Sequence, residues 1–412
     1  MKNSVLCYLE ETAARLPDKV AFFDAEGEIT FEQLRKSAVD IAFAIQEKVG
    51  GRRNPILTYI PKSVKNITAF MGILYSGNFY TPTEVRFPEE KVRSIVETLH
   101  PAAILVDTKS KEKLCGYEWT KDICLINVDE VAKSGRYDES HELAEKILDV
   151  DPVYTFFTSG STGTPKGVII NNHNVIDYTD WAVKTFPINE NTIMGNQSPF
   201  YFDISTQDIY TTLKTGATLG IIPPMYFAFP AKALQFINER KINFLYWVPS
   251  AFVSIANYDL LKSIPLNNVE LIMFGGEVMP VKQLRQWQLA LPEAEFVNLY
   301  GPSEITCNCT YYRVKRIFED DEILLLCGQH HLAAPEHTAA PHDQKQIIIR
   351  AGIKFPDGAL LKKITLGCMI HQKVLHETVM CNRLLYTTEK YNYYNCIIHQ
   401  FAIVFNHFLD MY

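Results

Sequence analysis

Tyr154-Thr-Phe-Phe-Thr-Ser-Gly-Ser-Thr-Gly-Thr-Pro-Lys-Gly-Val-Ile-Ile170 sets two apolar runs around a loop of small polar residues. Residues 154–157 read as a buried strand and residues 168–170 as its return. Between them lie five hydroxyl residues (Thr158, Ser159, Ser161, Thr162 and Thr164), three glycines (Gly160, Gly163 and Gly167), Pro165 and Lys166. Glycines let a loop turn tightly enough to aim several backbone N–H groups into one concavity, where a phosphate can sit. The hydroxyls add donors and Lys166 adds positive charge. A Walker A loop needs Gly-Lys-Ser/Thr opening a helix, and Lys166 instead lies between Pro165 and Gly167. A flexible surface hairpin is the plainer alternative. The density of donors between two buried strands favours a phosphate cradle.

The flanking chain alternates strands and helices. Residues 4–16 have helical apolar spacing, residues 20–24 and 28–30 form a hairpin about Glu26-Gly27, and Thr30 opens a helix reaching Ile45. Apolar strands near 56–60, 78–81 and 102–106 alternate with helices over 64–76 and 89–99, which predicts a largely parallel α/β sheet. Beyond the loop, Phe202-Asp-Ile-Ser205 puts one acid in an aromatic and apolar setting, where it needs a partner. Read from the residues alone, Asp203 is a candidate helix N-cap, with Ser205, Gln207 and Asp208 able to begin the helix. Two further strands end at turns, Phe244-Leu-Tyr-Trp-Val-Pro-Ser250 and Leu271-Ile-Met-Phe-Gly-Gly-Glu277, and Phe296-Val-Asn-Leu-Tyr-Gly-Pro-Ser-Glu304 makes a third. In open α/β sheets sites collect at the carboxyl ends of strands, so these turns are expected to converge on the loop.

At 412 residues, 47% of them hydrophobic, the chain is long enough for more than one domain. A net charge of −7 and the lack of a basic patch argue against nucleic-acid and anionic-membrane partners. No apolar stretch approaches a membrane span. Acids stand too early in the N-terminus for a secretory signal, and nine cysteines without a Cys-x-x-Cys pair suit reduced thiols, so a cytoplasmic protein is expected.

Ser159-Gly-Ser-Thr-Gly-Thr-Pro-Lys-Gly167 resembles the phosphate loop of adenylate-forming (AMP-binding) enzymes, and Asn298-Leu-Tyr-Gly-Pro-Ser-Glu304 resembles their Asn-x-Tyr-Gly-Pro-Thr-Glu motif. The resemblance covers residues 1–325 and implies the large N-terminal domain of that family, an α/β fold of stacked sheets with flanking helices plus a small β subdomain. It implies ATP and Mg²⁺. Thr158, Ser159, Gly160, Ser161, Thr162, Gly163, Thr164 and Lys166 would cradle phosphate. Gly275, Gly276 and Glu277 would border the adenine, Asn298 would bond its amino group, and Tyr300 would stack on it, flanked by Gly301 and Ser303. Glu304 would help hold Mg²⁺, and with Lys166 it is the candidate catalytic pair, stabilising charge that develops on phosphate oxygens.

Within the family, Asp203 matches the aspartate that holds the α-ammonium in amino-acid-activating members, an anchor of no use to fatty-acid or aryl activators. Carried over by position, the rest of the substrate pocket would be Ile204, Gln207, Tyr246, Ile272, Phe274, Leu299, Cys307 and Asn308, a lining suited to a small or apolar amino acid. The segment 273–280 resembles D-alanine:carrier-protein ligases, except that Gly275 stands where they have cysteine; adenylation domains of non-ribosomal peptide synthetases are the nearby alternative. The implied partners are a small amino acid and a phosphopantetheinyl carrier protein.

After residue 325 the character changes. Eight of eleven histidines lie beyond residue 329, without metal-ligand spacing, and periodicity fades. The Tyr-x-Thr-Gly-Asp motif and C-terminal lysine of relatives do not follow. The mobile C-terminal domain is therefore expected to be missing, residues 326–412 being an unassigned tail whose expected origin is a frameshift near codon 325. The expected function is ATP-dependent amino-acid activation for transfer to a carrier thiol, impaired in this chain. A non-catalytic nucleotide-binding remnant and acyl-CoA-synthetase-like activation are the alternatives.

Overall fold

The computed structural model describes residues 3–158 and 166–319, and the backbone of Glu322–Leu324, Gln329–His330 and Ile348–Arg350. The local expectations hold: the helices Leu6–Arg15, Phe31–Lys48, Val64–Tyr75 and Glu89–Leu99 lie where periodicity puts them. Thr30 caps the second of these in a reciprocal pair, its Oγ1 accepting from Gln33 N at 3.3 Å while Thr30 N donates to Gln33 Oε1 at 3.0 Å. Thr30→Ala is expected to lower stability by about 1 kcal/mol; a urea unfolding midpoint equal to that of the unsubstituted protein would contradict this.

Two sheets form where alternation alone predicts one. Six strands run in the order Leu125–Asn127, Ala103–Val106, Pro55–Tyr59, Phe79–Pro82, Pro152–Thr158 and Lys166–Asn171, all neighbours parallel except the last pair. Nine strands run in the order Gln329–His330, Thr310–Arg313, Glu295–Tyr300, Leu271–Gly275, Phe244–Trp247, Ile193–Asn196, Thr218–Ile221, Val20–Phe23 and Glu28–Thr30. The six strands from Glu295–Tyr300 to Val20–Phe23 are mutually parallel, with antiparallel strands at both edges. The N-terminal hairpin thus belongs to the sheet built from residues almost two hundred positions later. Strand pairing at that separation has no local signature.

Alternation of side chains along each strand divides the apolar residues between layers. Phe22, Leu219, Phe244, Tyr246, Met273, Val297 and Leu299 of the nine-stranded sheet face the same core as Ile56, Tyr80, Leu105, Tyr154 and Phe156 of the six-stranded one. Helices Phe31–Lys48, Val64–Tyr75, Asn172–Thr185 and Ile204–Thr215 fill that shared layer. The opposite face of the nine-stranded sheet packs on helices Pro230–Glu239, Pro249–Asn257 and Val281–Ala290, through Leu245, Trp247, Ile272, Phe274 and Trp287. Leu57, Tyr59, Ile104 and Val106 face helix Glu89–Leu99 on the far side of the six-stranded sheet. Among the described residues no helix is long and apolar enough to cross a membrane. The expected small β subdomain lies outside the described residues, and so does the tail apart from the backbone of Gln329–His330 and Ile348–Arg350.

Candidate active site

The opening stretch is a hairpin. Pro152–Thr158 and Lys166–Asn171 pair antiparallel, with Thr158 opposite Lys166 at the open end. Ser159, Gly160, Ser161, Thr162, Gly163 and Thr164 lie outside the described residues, and the Thr158 backbone and exposed Lys166 mark the two ends of their loop. The returning strand abuts the short 3-10 turn Ser303–Ile305. The two sequence motifs, more than a hundred residues apart, therefore meet.

Three parallel strands, Phe244–Trp247, Leu271–Gly275 and Glu295–Tyr300, deliver their carboxyl ends to the same edge. A Cβ at Gly275 would lie 2.7 Å from the Leu299 carbonyl oxygen, and Gly276 has φ +84°, so the turn passes close against the neighbouring strand. Glu277 is engaged within the protein. Its carboxylate accepts from Ser250 N at 2.8 Å and from Ser250 Oγ at 3.2 Å, capping the first turn of helix Pro249–Asn257. Asn298 is 3% exposed and its Oδ1 has no hydrogen-bond partner. A buried acceptor left open in this way is costly unless a ligand supplies the donor. Tyr300 is partly buried and Glu304 exposed at the end of the same strand and turn.

Asp203 sits at the N-terminal end of helix Ile204–Thr215 but makes no side-chain cap; its Oδ2 instead accepts from Ser303 Oγ at 2.6 Å. Burial raises its pKa, against the Ser303 and Ile204 hydrogen bonds that lower it. No cation pairs with it among the described residues. Serine in place of the family's threonine thus links the amine-anchor candidate to the nucleotide motif. One turn further on, Asp208 accepts from Asn196 Nδ2 at 2.8 Å and is pushed up to about 7 by burial. Lys62, pushed down to about 7 by its own burial, lies just beyond strand Pro55–Tyr59 and donates to the Gln197 carbonyl at 2.9 Å, holding the loop that leads to Asp203.

The inner face of the nine-stranded sheet brings Tyr246 and Leu299 together with Ile204, Gln207, Cys307 and Asn308. Ile272 and Phe274 do not join them. Both point through the sheet into the outer core beside Trp247 and Trp287, which corrects their assignment to the pocket. Successive residues of a strand face opposite sides, so an assignment one residue out of step exchanges the faces. Met273 and Gly275 are the residues of that strand on the site side; Gln207 Nε2 reaches Met273 Sδ at 3.4 Å. Tyr178, absent from the predicted set, donates to Gln207 Oε1 at 2.5 Å and accepts from Asn308 Nδ2 at 2.8 Å. Counting back in twos from the Gly275-Gly276 turn finds Met273; nothing local finds Tyr178. A cleft of about 490 Å³ lined by Ile188, Glu190, Lys214 and Thr215 lies at the other end of helix Ile204–Thr215. At 1.5 Å per residue that is about 18 Å from Asp203, too far to serve the same ligand.

A match to the family of AMP-binding enzymes spans residues 9–334. This chain belongs to the AMP-binding enzyme family. It is 29% identical over 373 residues to a D-alanine–D-alanyl carrier protein ligase of Bacillus velezensis, covering 90% of this chain and 71% of that protein. It is 30% identical over 308 residues to the enzyme of the same name from Bacillus thuringiensis, covering 73% of this chain and 59% of that protein. The fold matches that of a nonribosomal peptide synthetase, FmoA3, with a TM-score of 0.69 at 18% identity, over 79% of this chain and 35% of that one. A match over 90% of an AMP-binding chain of this length runs past residue 334, so part of the tail aligns with the Bacillus velezensis ligase.

Proposed function

We propose that the chain activates a small amino acid with ATP to an aminoacyl-AMP and pyrophosphate, for transfer to the thiol of a phosphopantetheinyl carrier protein. One observation carries the amino-acid part. Asp203 is an acid in an apolar setting with no cation partner among the described residues, held by Ser303 at the junction of the two motifs. A substrate α-ammonium would supply the missing charge. A fatty or aryl acid brings none, which disfavours those substrates.

Asn298, with its open acceptor, is the residue best suited to the adenine amino group, and Tyr300 offers an aromatic face. Gly275, Gly276, Gly301 and the loop from Thr158 to Lys166 complete the proposed nucleotide wall. No cluster of three or more His, Cys, Asp or Glu residues capable of holding a metal occurs among the described residues. That suits Mg²⁺, which is commonly held by one or two carboxylates together with substrate phosphates; Glu304 is the carboxylate proposed here. When bound, Mg²⁺ supplies charge neutralisation at phosphate oxygens. Lys166 at the loop's end would add its own positive charge to the same oxygens.

The relatives' names favour D-alanine, and Gly275 speaks against an unchanged D-alanine pocket, since a side chain there meets the Leu299 carbonyl. The proposal therefore stops at a small amino acid. We place the end of the adenylate-forming domain near residue 325. No Thr-Gly-Asp segment follows Glu304, so adenylation by this chain is expected to be weak. Alignment past residue 334 weighs against an out-of-frame origin for the whole tail; translating the gene in its other two frames tests that idea directly. The function itself is tested by exchange of labelled pyrophosphate into ATP across a panel of amino and fatty acids. Weak exchange dependent on a small amino acid is expected. Exchange driven by fatty acids instead would overturn the reading, and vigorous exchange would overturn the expected impairment.

A further inference from the structure

Resting on the amino-acid reading above, we infer that Tyr178 sets the depth of the substrate side-chain pocket and restricts it to a small, uncharged side chain. Four buried polar residues meet beyond Asp203: Tyr178 from helix Asn172–Thr185, Gln207 from helix Ile204–Thr215, Tyr246 from strand Phe244–Trp247, and Asn308 from the segment before strand Thr310–Arg313. Most of their polar atoms are spent on one another, while Gln207 Nε2 reaches Met273 Sδ at 3.4 Å. Tyr178 Oη donates to Gln207 Oε1 at 2.5 Å and accepts from Asn308 Nδ2 at 2.8 Å, and Tyr246 Oη lies 2.8 Å from Asn308 Nδ2 and 3.0 Å from Asn308 Oδ1. A buried network in which each member has a partner resists rearrangement, because moving one member strands the others.

Gln207 lies one helical turn beyond Asp203, so an amino acid tethered by its ammonium at Asp203 directs its side chain toward this network. Tyr178 is the member that cannot step aside. Its ring packs on Trp181 at 5.6 Å between centroids, and Trp181 is itself held by Phe186 at 5.5 Å and Tyr311 at 5.7 Å. A longer substrate side chain must displace a phenol that is hydrogen-bonded to Gln207 and Asn308 and packed on Trp181, which two further rings hold in turn. A charged side chain meets phenols and amides with no counter-charge among them.

The test measures binding of aminoacyl sulfamoyladenosines, stable mimics of aminoacyl-adenylates, so that it does not require turnover. Alanyl (D and L), leucyl and phenylalanyl forms are titrated calorimetrically against the full chain and three variants. The unsubstituted chain is expected to prefer its better alanyl form over the phenylalanyl form by at least ~10-fold. Tyr178→Ala is expected to reduce that ratio by ~10-fold or more, and Tyr178→Phe, which keeps the ring, to preserve it. Tyr178→Leu, less disruptive to folding, must move the ratio in the same direction as Tyr178→Ala. A ratio unmoved by Tyr178→Ala or by Tyr178→Leu overturns the inference while leaving the amino-acid reading intact. If sulfamoyladenosine without an aminoacyl group binds as tightly as every aminoacyl form, the amino-acid reading itself fails.

Discussion

Asp203→Ala is expected to weaken amino-acid binding by roughly 30-fold to several thousand-fold, corresponding to about 2–5 kcal/mol for removing one partner of a buried, hydrogen-bonded charge pair. The size follows from the setting. Asp203 lies in an apolar surround, its carboxylate held toward the site by Ser303 at 2.6 Å, with burial as the main cause of its raised pKa. Burial strengthens its interaction with an ammonium. Nucleotide affinity should change far less, because the Asn298 acceptor and the glycine turn are untouched. The raised pKa adds a sign to the pH dependence. Only the ionised carboxylate pairs with an ammonium, so amino-acid affinity is expected to fall as pH drops through that raised value, and Asp203→Ala should flatten the profile. Titration of the best-bound aminoacyl sulfamoyladenosine across pH measures both effects. Undiminished affinity in the variant would sink the anchor role.

Gly301→Ala should be the most damaging single-methyl change near the site. A Cβ at this position would stand 2.4 Å from the Cys307 carbonyl oxygen, 2.5 Å from Asn308 Cα and 2.9 Å from Cys309 N. All three are backbone atoms, so no rotamer change relieves the clash. The crowding arises because the chain doubles back there, with Cys309 N donating to the Tyr300 carbonyl at 2.8 Å and both Thr306 and Cys307 at φ +67°. Overpacking typically costs about 1–3 kcal/mol, and with three backbone contacts this site should lie at about 3 kcal/mol. That corresponds to a fall of roughly 3–4 °C in thermal midpoint for a chain of this size. The displaced segment carries Asn308, so the Tyr178–Gln207–Asn308 network should loosen too, narrowing the preference for small side chains. An unchanged midpoint would mean that the close approach is not maintained in solution.

Much of the site is legible along the chain because its motifs are contiguous. Glycine and hydroxyl density at 158–167 and the residues 298–304 announce a nucleotide site without any knowledge of packing. Thr30 and Gln33 predict their own helix start, since a cap is satisfied within one turn. The misplacement of Ile272 and Phe274 has a different origin. Both the right and the wrong phase of this strand place apolar residues on either side, because both faces of the nine-stranded sheet are buried. Hydrophobicity therefore cannot say which phase faces the ligand. Tyr178 escapes notice for a related reason: its helix is half-buried in the layer between two sheets, and its partners Gln207 and Asn308 stand 29 and 130 residues away.

What the amino-acid order settles by itself is the family, the succession of strands and helices, and the chemical types at the site, because each is written in short-range patterns. Which strands share a sheet, which core each side of a strand joins, that Ser303 reaches Asp203, and that Tyr178 from a third element bonds Gln207 and Asn308 are decided only when distant segments pack. Those contacts form between residues with no mutual pattern along the chain, and their geometry is set by the competition of many buried surfaces for the same space.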